Sequence, residues 1–194
     1  MMSVKQLLKN TRTILMYIRF FIPSLFLIKN KVFMEDVHRW KLVYKLNCSD
    51  WKSISQLLWL YKEFRNVAYY RLKSEHFLCA ALFKLFYPLL STLYITTPNI
   101  GGGLFIHHGF STVISAKSIG KNCWINQQVT IGWTNKPNPP VIGDDVTITC
   151  GAKVLGDIHI GDKSIIGANA VVVHDVANNV VVGGIPAKVI KKNT

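Results

Sequence analysis

The sequence predicts an α+β chain: an N-terminal α-helical region followed by a solenoid of short strands. Three observations carry this reading. Apolar residues up to about position 92 recur at helical spacing. Beyond position 98 aliphatic residues recur every six. Glycine directly follows many of those aliphatics. The expected division is a helical region over 1–92 and a β-solenoid domain over 93–194.

The helical region is justified stretch by stretch. In "FMEDVHRWKLVYK", Phe33, Val37, Trp40 and Tyr44 form one stripe, while Glu35, Asp36, His38, Arg39 and Lys41 lie off it. Ser53 and Gln56 have the spacing of a capping box before "LLWLY". "EFRNVAYYRL" continues the helical texture, and "CAALFKLFYPLL" is a further apolar helix that Pro88 ends or kinks. The most apolar N-terminal stretch, residues 14–28, contains Arg19 and Pro23. Its clean run falls short of the roughly 20 apolar residues a bilayer span needs. Lys5, Lys9 and Arg12 precede it as in a signal peptide, but no small-x-small cleavage site follows. Residues 5–31 therefore read as a helix in a membrane interface or an oligomer contact, with a buried domain helix as the alternative.

The period of six fits neither helix nor flat strand. It fits three short strands per triangular coil, each hexapeptide forming one side. The inward aliphatics run Ile100 and Ile106, then Ile119, Ile125 and Ile131, then Ile142, Ile148, Val154, Ile160, Ile166 and Val172. A second inward set follows each by four, including Leu104, Phe110, Cys123, Val129, Ser164 and Ala170. Two exceptions stand out. From Ile106 the next inward aliphatic reads as Val113, so one extra residue sits beyond His107 and His108, and such an insertion re-aims a side chain. From Ile131 the next is Ile142, which makes "GWTNKPNPPV" an extruded corner loop stiffened by proline.

Charge and cysteine bound the partners. Of the net +13, residues 1–100 contribute +10 from fifteen Lys/Arg against five Asp/Glu. That asymmetry suits an anionic surface or a solvated face, and no nucleic-acid-reading motif accompanies it. Cys48, Cys79, Cys123 and Cys150 show no metal-ligand or redox spacing, so they read as reduced thiols of a cytoplasmic chain. Peripheral attachment to the inner face of the membrane would use the basic N-terminus.

The run from "IGGGLFIHHG" through "IGKNCWINQQVTIG" and "VIGDDVTITCGAKVLGDIHIGDKSIIGANAVVVHDV" to "VVGGIPAKVI" resembles the hexapeptide-repeat acyltransferases. It is similar to the serine acetyltransferase branch, and more so to the surface-polysaccharide O-acetyltransferases that share its catalytic half. The likeness covers about residues 92–191. It implies a left-handed parallel β-helix, a homotrimer, and acetyl-CoA as co-substrate in a groove between subunits. It also implies His108 as the catalytic histidine, Gly132 and Trp133 as the turn facing the thioester, Cys150, Gly151 and Ala168 as main-chain contacts of the pantetheine arm, and Lys188 as a basic residue near the nucleotide phosphates. The chain departs from serine acetyltransferases in three ways. His107 stands where they carry Asp, Asn138 and Pro139 stand where they carry an Arg-His pair, and no Asp or Glu occurs between Glu75 and Asp144. A free amino acid needs an anion for its ammonium and a cation for its carboxylate. The expected acceptor is therefore a hydroxyl of a surface (capsular) polysaccharide or lipid-linked sugar, with L-serine as the alternative.

The residues allow that chemistry without help from the resemblance. Transfer from a thioester to a hydroxyl needs a base and donors for the developing oxyanion. An imidazole with an ordinary pKa of about 6.5 serves as the base, and backbone N–H groups at a turn such as Gly132-Trp133 serve as donors. Ile106 points inward and His107 falls at the corner, while the extra residue beyond His108 and Gly109 re-aims the His108 imidazole, so His108 is expected to be the base and His107 is not. Adjacent strand residues point to opposite sides, which argues against the two as a metal pair. Glu63 is a candidate to orient it from the helical region. Two other readings stay open. His107, His108, His159 and His174 supply the count for a metal centre but not the spacing, so no metal is expected. A non-catalytic scaffold is the other.

Overall fold

In a computed structural model, residues 26–135 and 137–193 are described. The part of the N-terminal membrane-interface reading that falls on residues 5–25 lies outside them. No helix among the described residues is long and apolar enough to cross a membrane. The chain forms two compact units, divided between Leu89 and Leu90.

The first unit is a cluster of helices: α1 (Lys31–Val43), α2 (Asp50–Leu60), α3 (Lys62–Glu75) and α4 (Phe77–Phe86). Asn30 caps α1 by accepting the Phe33 N–H at 2.7 Å. The predicted stripe of α1 turns Phe33, Val37 and Trp40 inward. Trp40 packs edge-on to Phe64 of α3 with centroids 5.0 Å apart, and Tyr44 stacks on Tyr61 at 4.3 Å. Glu63 lies beside Tyr44, whose phenol is pushed up to about 12, first by burial and then by the charges of Tyr61 and Glu63. Arg65 joins α2 to the chain after α4: its guanidinium donates to the carbonyls of Leu58, Trp59 and Pro88. Pro88 follows directly on the end of α4, as its ring requires.

Asp36, off the apolar stripe of α1, is nevertheless fully buried and paired with Arg71 of α3, Nε to Oδ2 at 2.9 Å and Nη2 to Oδ1 at 3.1 Å. One local expectation is corrected. Ser53 does not open a capping box, because α2 begins earlier, at Asp50 with Ser49 as its N-cap. Ser53 lies inside that helix, and its hydroxyl contacts Cys48.

The second unit is a left-handed parallel β-helix of five coils. Coil 1 holds β1 (Leu93–Ile95), β2 (Asn99–Ile100) and β3 (Phe105–His107), and coil 2 holds β4 (Thr112–Ile114), β5 (Ser118–Ile119) and β6 (Trp124–Asn126). Coil 3 holds β7 (Thr130–Gly132), β8 (Val141–Ile142) and β9 (Thr147–Ile148), and coil 4 holds β10 (Lys153–Leu155), β11 (His159–Ile160) and β12 (Ile165–Ile166). Coil 5 runs through β13 (Val171–Val172) to β14 (Val180–Gly184), and β15 (Ala187–Lys192) folds back on β14 antiparallel. The strands form three faces: β1-β4-β7-β10-β13, β2-β5-β8-β11 and β3-β6-β9-β12-β14 with β15 at its end. We call these the first, second and third faces, in chain order.

The inward aliphatics fill the prism: Ile106, Ile125, Ile131, Ile148, Val154, Ile160 and Ile166 are all buried. Where the second face turns into the third, glycines let the coils close up. A Cβ on Gly120 would stand 2.6 Å from the Gly143 backbone, and one on Gly161 would stand 2.5 Å from the Asn178 nitrogen. Side chains complete that corner as a ladder. Asp144 accepts the Lys121 N–H at 2.7 Å, Asp162 accepts that of Asp144 at 2.8 Å, and Asn178 accepts that of Asp162 at 2.9 Å.

The buried pair in the helical unit gives a stability prediction. Asp36→Ala leaves the Arg71 guanidinium buried without its counter-charge, a change that costs about 3–5 kcal/mol. Urea denaturation followed by circular dichroism measures it, and a loss below about 1 kcal/mol would show that the pair is dispensable.

Candidate active site

Four of the seven predicted site residues stand on one edge of the prism, where the third face turns into the first. The backbone links them coil by coil. The Gln128 N–H donates to the Phe110 carbonyl at 3.0 Å, the Gly151 N–H to the Gln127 carbonyl at 3.0 Å, and the Asn169 N–H to the Cys150 carbonyl at 2.9 Å. His108, Cys150, Gly151 and Ala168 thus form a column. Gly151 has φ +73°, a conformation that glycine adopts without strain. The exposed Ala168 and half-buried Cys150 leave the edge shallow.

The top of this column differs from what the period of six suggests. His107 pairs in register with Asn126, and Phe110 stands opposite Gln127. Two residues are therefore inserted, not one, and they are His108 and Gly109. The next inward residue is Ile114, fully buried, whereas Val113 is 37% exposed and pairs with Thr130. Phe110 is likewise exposed, not inward. The other corners of this edge carry one left-handed residue each (Gln128, Gly151, Asn169), but this one carries two, His108 at φ 57° and Ser111 at φ 52°. The insertion makes the chain double back, with the Phe110 N–H donating to the His108 carbonyl. His108 projects into solvent, while His107 is half-buried between the His108 ring at 3.9 Å and the Trp124 ring at 5.9 Å. Trp124 is fixed in turn by its indole N–H, which donates to Asn126 Oδ1 at 2.5 Å.

The remaining predicted residues stand elsewhere. Gly132 and Trp133 close β7 at the next edge, where the first face turns into the second. The Gly132 carbonyl accepts the Gly156 N–H at 3.0 Å. Trp133 is 50% exposed, and its N–H meets no acceptor among the described residues. The loop beyond it returns through Pro140, whose carbonyl accepts the Lys117 N–H at 2.8 Å. Lys188 is exposed on the terminal hairpin, opposite Gly183. Two residues of the edge that carries His108 were not singled out by sequence. Gln127 has a buried Oε1 with no hydrogen-bond partner among the described residues. Lys153, which opens β10, donates from Nζ to the Gln128 carbonyl at 2.7 Å. Their only sequence signal is position, one and two coils beyond the insertion. No group of three or more His, Cys, Asp or Glu among the described residues could hold a metal ion.

Residues 139–174 match the bacterial transferase hexapeptide (six repeats). Among individual proteins, the chain is 46% identical over 99 residues to serine acetyltransferase of Bacillus subtilis (strain 168), a match covering 49% of this chain and 46% of that one. It thus spans about half the length of the curated relatives it matches. The crystal structure of serine acetyltransferase from Brucella abortus strain S19 aligns with TM-score 0.64 and 26% identity, over 82% of this chain and 67% of that one. The same enzyme in complex with coenzyme A aligns with TM-score 0.59 and 26% identity, over 84% and 68%.

These relatives correct the expected acceptor. The polysaccharide reading draws on a stronger resemblance to the surface-polysaccharide O-acetyltransferases as well as on His107, Asn138, Pro139 and the missing acids, yet the chain's sequence and fold both align with proteins named serine acetyltransferase. The physical reason is that absent charges show how an acceptor is not held, but do not identify it. Three of the solenoid's five acids serve its own coils: Asp144, Asp162 and Asp175 each accept a backbone N–H.

The cysteines yield a test of this layout. Cys123 is an inward residue, and burial pushes its thiol from 9.0 up to about 12. The folded state therefore holds this proton more tightly than the unfolded chain, and the fold loses stability as pH rises from about 9 to 12. At pH 8 Cys123 will stay unlabelled by a thiol reagent until the chain unfolds, whereas the half-buried Cys48, Cys79 and Cys150 react first. Mass spectrometry of the labelled peptides decides this, and early labelling of Cys123 would contradict its inward placement.

Proposed function

We propose that the chain is an acetyl-CoA-dependent O-acetyltransferase whose acceptor is L-serine, with His108 as general base. The observation that carries this reading is the two-residue insertion that lifts His108 out of a repeat whose relatives are serine acetyltransferases. The His108 imidazole takes the proton of the acceptor hydroxyl as its oxygen bonds to the thioester carbonyl carbon. The oxyanion so formed is met by backbone donors, for which the Trp133 N–H is available. Collapse breaks the carbon–sulfur bond, and the imidazolium returns its proton to the departing thiolate. The products are the O-acetyl ester and coenzyme A. The shallow edge at Cys150, Gly151 and Ala168 suits the pantetheine arm, and Lys188 suits the nucleotide phosphates.

A trimer belongs to the same proposal. His108 and the Gly132-Trp133 turn stand on different edges of one prism, separated by a face roughly 15–20 Å wide at the rise of extended chain. They address one thioester only if an edge of one copy meets the other edge of its neighbour.

Thiol release from acetyl-CoA, followed with and without L-serine, tests the function: serine-dependent release is expected, and release indifferent to serine would refute it. In the same assay His108→Ala lowers kcat by about 10²-fold or more, the usual loss for a general base, with acetyl-CoA binding nearly unchanged. His107→Ala costs less, because its ring acts only through its neighbour. The reverse ranking would move the base to His107.

A further inference from the structure

If serine is the acceptor, its carboxylate needs a cation; Asn138 and Pro139 supply none, and the loop's one lysine, Lys136, lies outside the described residues. The described lysines of the solenoid narrow the choice. Lys117 lies at the corner between the first and second faces, and Lys121 and Lys163 at the corner between the second and third. Lys188, Lys191 and Lys192 lie on the terminal hairpin. Lys153 alone among them is directed to the edge that carries His108. A continuous path of hydrogen bonds connects the two. The Lys153 ammonium donates to the Gln128 carbonyl at 2.7 Å, the Gln128 N–H to the Phe110 carbonyl at 3.0 Å, and the Phe110 N–H to the His108 carbonyl.

We propose that Lys153 is the specificity-determining cation that holds the carboxylate of the amino-acid acceptor while His108 faces its hydroxyl. This rests on the reading of the chain as a serine acetyltransferase. Three features support it. An ammonium has three donors, and the Gln128 carbonyl takes one, leaving two for a carboxylate. No carboxylate among the described residues pairs with Lys153. The bond to Gln128 fixes the ammonium in place, so little freedom is lost when a ligand arrives. In sequence, Lys153 occupies a position filled by Thr130 one coil earlier and Val171 one coil later, so the coil itself does not require a cation there.

The test compares L-serine with L-serinamide, which keeps the hydroxyl and the amine but lacks the carboxylate. In the full-length protein, kcat/KM should favour serine. Lys153→Met should cut that preference by about 10- to 100-fold, the range for one charge-assisted hydrogen bond, through a higher KM for serine. Lys153→Arg should retain most of the preference, which keeps the idea testable if the Met variant folds poorly. An unchanged serine-to-serinamide ratio in Lys153→Met would overturn this role. So would a rise confined to the KM for acetyl-CoA, which would assign Lys153 to the cofactor. Absence of serine turnover in the wild-type protein would instead refute the proposed function, and this inference with it.

Discussion

The solenoid depends on one constraint: successive coils lie a single strand spacing apart, about 4.8 Å, with no slack at the corners. Parallel backbone hydrogen bonds fix that distance along the faces. At the corner between the second and third faces, Gly101, Gly120, Gly143 and Gly161 enforce it, because a Cβ at any of them would collide with the next coil. Asp144, Asp162 and Asn178 then satisfy the corner N–H groups that the faces cannot reach. Close stacking brings the inward isoleucines and valines into contact as continuous columns.

Against so regular a frame, a two-residue insertion has a definite consequence. His108 and Gly109 have no counterparts in the neighbouring coil, so the corner cannot follow the repeat. It reverses through two left-handed residues and holds the second histidine clear of the wall. His107 keeps its place in the register and packs against Trp124. Two adjacent residues of the same type thus have different environments, because one belongs to the repeat and the other does not.

Most of this was legible in the sequence, and the gaps have physical causes. The period of six is visible because each coil repeats one demand, an aliphatic inside and a small residue at the corner. The register after the insertion was not, because "TVIS" offers two adjacent β-branched residues, Val113 and Ile114, and either satisfies a hydrophobic pattern. The following step, Ile114 to Ile119, is one residue short and conceals half of the insertion. The burial of Asp36 is not legible because its partner, Arg71, lies 35 positions away on another helix and leaves no local trace. The acceptor was misread for a related reason: charges missing from the expected places do not identify what the site holds.

The terminal hairpin bears on a different matter, the growth of the solenoid itself. A stack of parallel coils ends in unpaired strand edges, on which a further coil, including one from another molecule, can add. In the third face β15 runs back antiparallel along β14 and occupies that edge with a strand of opposite direction. Its exposed lysines, Lys188, Lys191 and Lys192, place like charges where a second copy would have to dock. Gly183, where a Cβ would stand 2.7 Å from the Ile190 side chain, lets the return strand lie close. The hairpin thus covers the end of the third face with a strand on which a further parallel coil cannot continue the ladder.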